Sequence, residues 1–290
     1  MSEKEKFLGC NDVYVGDALD KLDKIRNNTV HLVVTSPPYN AGYNYDDYND
    51  SLDWETYTGY LRKVITKIYD ILVKGGRLAI NVPFAIKHRD TKEVRFLATT
   101  IAGICNDISE EGKEFIEFEF ITWHKGKNKK HFQGNNTAWG SWKQPSHPVF
   151  RGLGEVVMVF SKEQPRLPGN KEKADITAEE FKEWTKNLWY LDEEEQTENL
   201  WYVEGDLAYK NLWCVPNNQS KKNHPCPYPK ELVRRLIKLY TYGDNLVLDP
   251  FNGVGTTTEV AQELGRRFIG IDQSERYCNI ALDKLGLREE

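Results

Sequence analysis

One short run of the sequence constrains the fold and the site more than any other, because a hydrophobic strand, a glycine-rich turn and a helix start follow each other directly. Residues 246–257 read LVLDPFNGVGTT. Gly253 and Gly255 let the backbone approach a ligand closely, and N–H groups at the helix start point at its polar part. Asp272 ends the next predicted strand, where a carboxylate accepts hydrogen bonds from both hydroxyls of a ribose. This succession predicts a nucleotide-type cofactor site, and the incomplete GxGxxG pattern favours adenosine without a pyrophosphate.

Strands and helices alternate along most of the chain. Helical spacing marks residues 54–72, a helix opened by Pro229, and residues 256–264, which stop at Gly265. Runs rich in β-branched residues predict seven strands, at 12–15, 30–35, 77–82, 115–123, 155–160, 245–248 and 267–271. The alternation predicts an α/β fold with a mostly parallel, seven-stranded Rossmann-like sheet and helices on both faces.

Composition excludes several classes of protein. The 290 residues are 39% hydrophobic and 29% charged, which is typical of a folded domain. No stretch approaches the roughly 18 apolar residues that span a bilayer, and the start, MSEKEKF, lacks a signal peptide's apolar run. A soluble, cytoplasmic protein is therefore expected. The five cysteines form no CxxC pair, so neither a zinc ribbon nor a disulfide framework is predicted, and we expect no metal site.

Charge is distributed unevenly. The net charge of −5 argues against a nucleic-acid binder, yet residues 124–151 hold six cations, no acid and four aromatic rings. Two interpretations stay open for this segment: a solvated basic loop, or a surface that follows DNA phosphates. Residues 175–206 are strongly acidic in contrast and should face away from DNA.

Residues 161–228 interrupt the alternation with charged, Pro-rich and Trp-rich sequence and no convincing strand. We interpret them as an insertion or a mobile arm. Asn-Leu-Trp recurs at 187, 199 and 211, a spacing of twelve residues. A local duplication that packs its tryptophans on the core is the favoured explanation, because three such repeats are too short for a solenoid.

A second motif follows the predicted strand 30–35. Ser36, Pro37, Pro38 and Tyr39 come directly after it, at the end of the strand where open α/β sheets bind ligands. Prolines stiffen this loop and donate no N–H, so the local carbonyls and the Ser36 hydroxyl are free to hold an NH₂ group. The Tyr39 ring can stack on a flat substrate. The alternative is that these residues form only a rigid turn.

The two motifs resemble those of the amino-methylating DNA methyltransferases that use S-adenosylmethionine. Thr35 to Tyr39 is similar to the catalytic motif of that family and Asp249 to Thr257 to its cofactor motif. The catalytic motif comes first here, which is the permuted order of the β group, whereas most RNA and protein amino-methyltransferases run the other way. Residues 16–19, 224–229 and 136–142 also resemble segments of the family. The resemblance implies a direct methyl transfer to an amino group of a base that is flipped out of duplex DNA.

The resemblance also implies roles for individual residues. The catalytic residues would be Ser36, Pro37, Pro38 and Tyr39. The cofactor would contact Asp17, Thr35, His224, Asp249, Phe251, Asn252, Gly253, Gly255, Thr256 and Asp272. DNA would contact Lys125, Lys127, Lys129, Lys130, Trp139, Trp142, Lys143 and Arg151. Residues 1–290 would form one methyltransferase domain, with a catalytic half (10–124), a basic target-recognition segment (125–151), an acidic insertion (161–223) and a cofactor-binding half (224–290).

Several alternatives remain at this point. Ser36 at the first motif position favours the N4 amino group of cytosine, and the N6 amino group of adenine is the second candidate. A catalytically inactive DNA-binding protein on the same fold is a third. Ring-carbon methylation needs a cysteine nucleophile, and Cys226 lies outside the catalytic loop, so we disfavour it. A companion restriction endonuclease fits the resemblance, and the sequence leaves open whether the protein forms a homodimer.

Overall fold

The computed structural model describes residues 7–43, 48–124, 143–146, 154–186, 188–190 and 228–288. Its strands are β1 (Asp12–Val15), β2 (Val30–Thr35), β3 (Leu72–Val82), β4 (Ile86–Lys87), β5 (Val94–Arg95), β6 (Phe115–His124), β7 (Gly154–Lys162), β8 (Leu188–Tyr190), β9 (Leu246–Asp249) and β10 (Arg267–Asp272). Its helices are α1 (Ala18–Leu22), α2 (Trp54–Ile71), α3 (Leu97–Glu110), α4 (Ala178–Trp184), α5 (Lys230–Tyr240), α6 (Thr256–Glu263) and α7 (Glu275–Leu285). All seven predicted strands and the three predicted helices are present.

The main sheet has the order β1-β10-β9-β2-β3-β7-β6-β8. The strands from β1 to β3 pair in parallel, and β7 runs antiparallel to both β3 and β6. The α/β fold with a mostly parallel sheet is thus confirmed. The predicted count of seven strands is wrong, since β8 pairs in parallel with β6 inside the segment interpreted as strandless. The three residues of β8 come from the Asn-Leu-Trp repeat, and aromatic residue types such as Trp and Tyr have a high propensity for strands.

Helices cover both faces of the sheet, and successive apolar residues of a strand point alternately into the two cores. Val33 packs with residues of α1, α2 and α3, whereas its neighbours Leu32 and Val34 pack with residues of α5, α6 and α7. None of the described helices is long and apolar enough to cross a membrane.

The first part of the predicted insertion is docked on the core. Asp175 forms two hydrogen bonds of 2.5 and 2.7 Å with the buried guanidinium of Arg266. The buried Trp184 lies beneath the cations of Arg235 and Lys238, both on α5. Asp175 and Trp184 thus pack on Arg266 and α5, which favours the interpretation of this part as an insertion.

Candidate active site

The two sequence motifs meet at one edge of the sheet. β2 and β9 are neighbouring parallel strands, so the loop after Thr35 and the turn after Asp249 leave the sheet side by side. The Thr35 hydroxyl donates to Oδ1 of Asp249 at 2.7 Å. The predicted catalytic loop and the predicted cofactor turn are therefore joined by a direct hydrogen bond, although 214 positions separate the two residues.

Asp249 is the hydrogen-bonding centre of the cofactor turn. Besides Thr35, its Oδ1 accepts from the Phe251 N–H at 3.0 Å, and its Oδ2 accepts from the hydroxyls of Tyr228 at 2.6 Å and Thr257 at 2.7 Å. Burial raises the pKa of this carboxyl, and the hydroxyl donors oppose that effect. Burial and the Asp249 charge together raise the pKa of Tyr228, which keeps its hydroxyl a donor.

Four donors match the four lone-pair positions of a carboxylate. Asp249 is fully buried, and together with the buried Thr35 it holds the cofactor turn in place through bonds inside the protein. The cofactor contacts of these two residues stay predictions.

Two glycines allow the close packing of this turn. Gly255 has φ +88°, and a Cβ there would lie 2.6 Å from the Ala281 methyl group of α7. A Cβ on Gly270 would lie 2.5 Å from the amide nitrogen of Asn252. The Asn252 side chain is thus tucked against β10, where it accepts from the Thr258 hydroxyl at 3.3 Å. Its amide nitrogen is buried and has no hydrogen-bond partner among the described residues, and the cofactor contact of Asn252 stays a prediction.

Several partly exposed groups remain available around the turn. No side chain caps the start of α6 at Gly255, so the first N–H groups of this helix keep their capacity to donate. Each carboxylate oxygen of Asp272 accepts one backbone N–H, from Gly253 at 2.7 Å and from Ser274 at 2.9 Å. The Gly253 N–H is therefore used inside the protein, and the N–H groups at the start of α6 stay the predicted ligand donors.

Asp17 lies beside Asp272. The Gly16 N–H donates to the Asp272 carbonyl at 2.9 Å, which brings the end of β1 next to the end of β10. The Asp17 carboxylate caps α1 through the Leu19 N–H at 2.8 Å and accepts from the Tyr60 hydroxyl at 3.0 Å. Phe251 and Thr256 are also partly exposed. His224, predicted to contact the cofactor, lies outside the described residues.

In the catalytic loop, the Ser36 hydroxyl lies 2.7 Å from the Tyr39 hydroxyl and 3.1 Å from the Asn81 carbonyl. The Tyr57 hydroxyl donates to the Pro38 carbonyl at 2.7 Å. The Pro38 carbonyl, predicted to be a free acceptor, therefore already accepts one hydrogen bond. Ser36, Pro38 and Tyr39 are partly exposed, whereas Pro37 is buried.

Asp50 orders the continuation of this loop, a role that the sequence analysis missed. Its carboxylate accepts the N–H groups of Asn40 at 2.7 Å and of Ala41 and Tyr43 at 3.0 Å each. Burial raises the pKa of Asp50, and these backbone donors act against that effect. Asn40 has φ +55°, a left-handed conformation that asparagine tolerates better than most residues.

A buried Asn–Glu pair, also missed from the sequence, lies against Ser36 and Tyr39. Asn81 on β3 donates its amide N–H to Oε2 of Glu155 on β7 at 2.7 Å. The Tyr39 hydroxyl lies 3.5 Å from the same oxygen. The amide oxygen of Asn81 is buried and has no hydrogen-bond partner among the residues that the structure describes. The one available signal was that Glu155 is an acid at the start of an otherwise apolar strand.

Most of the predicted DNA contacts cannot be placed. Lys143 is exposed within the short described range 143–146. The others lie outside the described residues: Lys125, Lys127, Lys129, Lys130, Trp139, Trp142 and Arg151.

A basic hairpin that the sequence analysis did not identify packs on the catalytic loop. Strands β4 and β5 form it, and the Arg89 N–H donates to the Ala41 carbonyl at 2.8 Å. A Cβ on Gly42 would come within 3.1 Å of the His88 ring. The hairpin also carries Lys87 and Lys92, so it adds positive charge beside the loop.

Comparison with known proteins identifies relatives over most of the chain. The model of the N6/N4 DNA methylase family matches residues 30–283. The type II methyltransferase M.MjaI of Methanocaldococcus jannaschii is 27% identical over an alignment of 308 positions. The alignment covers 96% of this chain and 92% of that protein. The DNA adenine methyltransferase YhdJ of Escherichia coli is 26% identical, with 93% of this chain and 81% of YhdJ covered.

Solved structures share the fold. TTHA0409 of Thermus thermophilus, a candidate DNA modification methylase solved in complex with S-adenosyl-L-methionine, superimposes with a TM-score of 0.66 at 24% identity. That match covers 95% of this chain and 94% of the other. The cytosine-N4-specific PvuII DNA methyltransferase also gives a TM-score of 0.66, at 19% identity, and covers 96% of this chain and 87% of its own.

Proposed function

The chain belongs to the N6/N4 DNA methylase family, and from this premise we propose that it methylates the N4 amino group of cytosine at a specific site in duplex DNA. The family membership confirms the resemblance drawn from the two motifs. The observation that carries the proposal is the bond between Thr35 and Asp249, which sets an amine-binding loop beside a cofactor turn.

S-adenosylmethionine is the cofactor that we assign to the turn. The uncapped first turn of α6 suits its carboxylate. The Asp272 carboxylate at the end of β10 is an acceptor that suits ribose hydroxyls, and Asp17 lies next to Asp272 for the adenosine. Phe251 offers a partly exposed aromatic ring. When bound, the cofactor supplies a methyl group on a positively charged sulfur, an electrophile that an amine attacks directly.

The target base would enter the pocket at Ser36 and Tyr39. Its amino group is paired inside a duplex, so the base must first leave the stack. The Tyr39 ring would stack on it, and the Ser36 hydroxyl with the Pro37 carbonyl would accept its two N–H groups. These bonds favour a tetrahedral nitrogen whose lone pair is less conjugated with the ring. Positioning and electrostatics then account for catalysis without a covalent enzyme intermediate.

The choice between cytosine and adenine rests on Ser36. Both bases present a similar exocyclic amine, and the relatives include the adenine-modifying YhdJ as well as the cytosine-modifying PvuII enzyme. We favour cytosine because the family resemblance associates serine at this position with N4 methylation. Methylation of adenine N6 by the same residues is the alternative.

DNA contacts and partners complete the proposal. We assign phosphate contacts to the basic segment 125–151 and to the β4–β5 hairpin, whose cations lie beside the loop that receives the base. The type II relatives suggest that the enzyme protects a recognition site against a companion restriction endonuclease. A homodimer remains a prediction of the resemblance.

The test is methyl transfer from labelled S-adenosylmethionine to mixed-sequence duplex DNA, followed by digestion to nucleosides and mass spectrometry. We expect label in N4-methylcytosine. Label in N6-methyladenine would retain the site and its mechanism but overturn the base assignment. Absence of label in DNA, with cofactor binding demonstrated, would overturn the proposed function.

A further inference from the structure

A buried carboxylate contacts the catalytic loop without having a part in the reaction described above. Glu155 is only 4% exposed, and its Oε2 receives the Asn81 amide at 2.7 Å. The same oxygen lies 3.5 Å from the Tyr39 hydroxyl, which itself lies 2.7 Å from the Ser36 hydroxyl. This series of polar atoms leads from the interior of the sheet to the group that would accept the amine.

The orientation of the Asn81 amide follows from the chemistry of its partner. If the amide were turned over, its oxygen would face a carboxylate oxygen at 2.7 Å, and two acceptors repel each other at that distance. The N–H therefore points at Glu155. The carboxylate is thus held in one place, with the same oxygen directed at Tyr39.

An ionised carboxylate only accepts hydrogen bonds, so any bond between Glu155 and Tyr39 uses the phenolic proton. Tyr39 must then accept at its oxygen from Ser36, whose proton is otherwise shared with the Asn81 carbonyl at 3.1 Å. With its proton directed at Tyr39, the Ser36 oxygen presents its lone pairs to the pocket. The distance of 3.5 Å is long for a hydrogen bond, and catalytic hydrogen bonds often tighten only once the substrate is bound.

We propose that Glu155 is a positioning residue for methyl transfer, which orients the Tyr39 and Ser36 hydroxyls so that Ser36 accepts an N–H of the target amine. The inference rests on the proposed function, because it concerns the same amine-binding loop. Glu155 acts through Tyr39 and does not touch the base itself. A purely structural role, in which the Asn81–Glu155 bond only ties β3 to β7, is the competing explanation.

The substitution Glu155→Gln separates these explanations. Glutamine has nearly the same shape, and its amide oxygen can still accept from Asn81. That oxygen would take the place of Oε2 beside Tyr39, but a neutral amide accepts the phenolic proton more weakly than a carboxylate does, so the two hydroxyls are oriented less strongly. We expect the single-turnover rate to fall roughly tenfold, because a charge-assisted hydrogen bond is about twice as strong as a neutral one. Dissociation constants for S-adenosylmethionine and DNA should stay within about twofold of wild type, because neither ligand contacts Glu155.

The matched control is Glu119→Gln, an exposed acid on the neighbouring strand β6, which should leave the rate unchanged. A double-mutant cycle with Tyr39→Phe measures the coupling between the two side chains in the transfer rate, and a purely structural role of Glu155 predicts no such coupling. Phenylalanine keeps the stacking ring and removes the hydroxyl through which Glu155 acts. In that background, Glu155→Gln should slow transfer by less than roughly threefold.

Two results would overturn the inference: an unchanged rate for Glu155→Gln, or an equal loss in the wild-type and Tyr39→Phe backgrounds. If Glu155→Gln failed to fold, Tyr39→Phe alone would decide, since an unchanged rate there excludes any action through the hydroxyl. These outcomes all presuppose that wild-type protein methylates DNA. Failure of the proposed function would instead appear as no transfer by the wild type.

Discussion

The cofactor turn and the catalytic loop leave neighbouring strands, yet their buried carboxylates are bonded very differently. Asp249 receives four hydrogen bonds of 2.6–3.0 Å. Glu155 accepts from the Asn81 amide at 2.7 Å, and its contact with Tyr39 is 3.5 Å long. The Asp249 carboxylate thus holds the cofactor turn through short bonds to several elements. The longer contact between Glu155 and Tyr39 suits a loop that must adjust to an incoming base.

Replacing the Asp249 carboxylate should have the largest effect. In Asp249→Ala three donors lose their acceptor: the Thr35 hydroxyl, the Phe251 N–H and one of the two hydroxyls of Tyr228 and Thr257, which also contact each other. Each such loss costs about 1–3 kcal/mol. We expect the free energy of unfolding to fall by at least about 3 kcal/mol in urea titrations. Asp244→Asn, which removes the charge of an exposed partner of Lys173 and keeps a residue type that tolerates the left-handed backbone at φ +68°, should cost much less. Equal losses in the free energy of unfolding for both variants would contradict the stabilising role of the bonds to Asp249.

A methyl group at Gly255 tests the tight packing of the cofactor turn. Gly255→Ala forces a left-handed alanine, at about 1–2 kcal/mol, and also a clash with Ala281, at about 1–3 kcal/mol. Gly265→Ala is the matched control, because Gly265 has φ +67° and nothing within 4 Å of its added Cβ. Thermal and urea unfolding should show the greater loss for Gly255→Ala. If Gly265→Ala lost as much stability, the close approach of residue 255 to α7 would not contribute to the loss.

A smaller effect, mainly on cofactor binding, is expected at Asp272. Asp272→Asn removes the negative charge that would accept from ribose hydroxyls, and its NH₂ group would face the N–H of Gly253 or of Ser274. The dissociation constant for S-adenosylmethionine, measured by calorimetry, should rise about tenfold to a hundredfold. The rate at saturating cofactor should change little. The control is Asp283→Asn on the exposed side of α7, which should leave cofactor binding unchanged. A rate defect of Asp272→Asn at saturating cofactor would instead assign Asp272 to the catalytic half.

The sequence predicted the elements well because their signals are local. The buried side of α2 follows from its three- and four-residue spacing, and the ends of β2 and β9 follow from the motifs after them. β3 begins five residues before the predicted strand. Its first residue, Leu72, pairs with Val30 before the register shifts, and glycines at 75 and 76 conceal that extension in the sequence.

The site was predicted less completely, since contacts between distant residues decide it. Nothing near Asp249 in the sequence indicates that Thr35 and Tyr228 saturate its carboxylate. Glu155 and Asn81 come from two strands that pair antiparallel, and only that register brings them together. A single acid or amide in an apolar strand looks like an ordinary strand residue until its neighbour is known.

In this account the cofactor turn binds S-adenosylmethionine and the catalytic loop binds the target amine. Ser36→Ala tests this separation most directly when methyl transfer and cofactor binding are measured on the same preparation. The substitution removes the hydroxyl that would accept the amine, so the single-turnover rate should fall by at least about a hundredfold. Because Ser36 lies outside the bonds that hold the cofactor turn, the dissociation constant for S-adenosylmethionine should match that of the wild type. An unchanged rate, or a loss of cofactor binding equal to the loss of rate, would contradict the account.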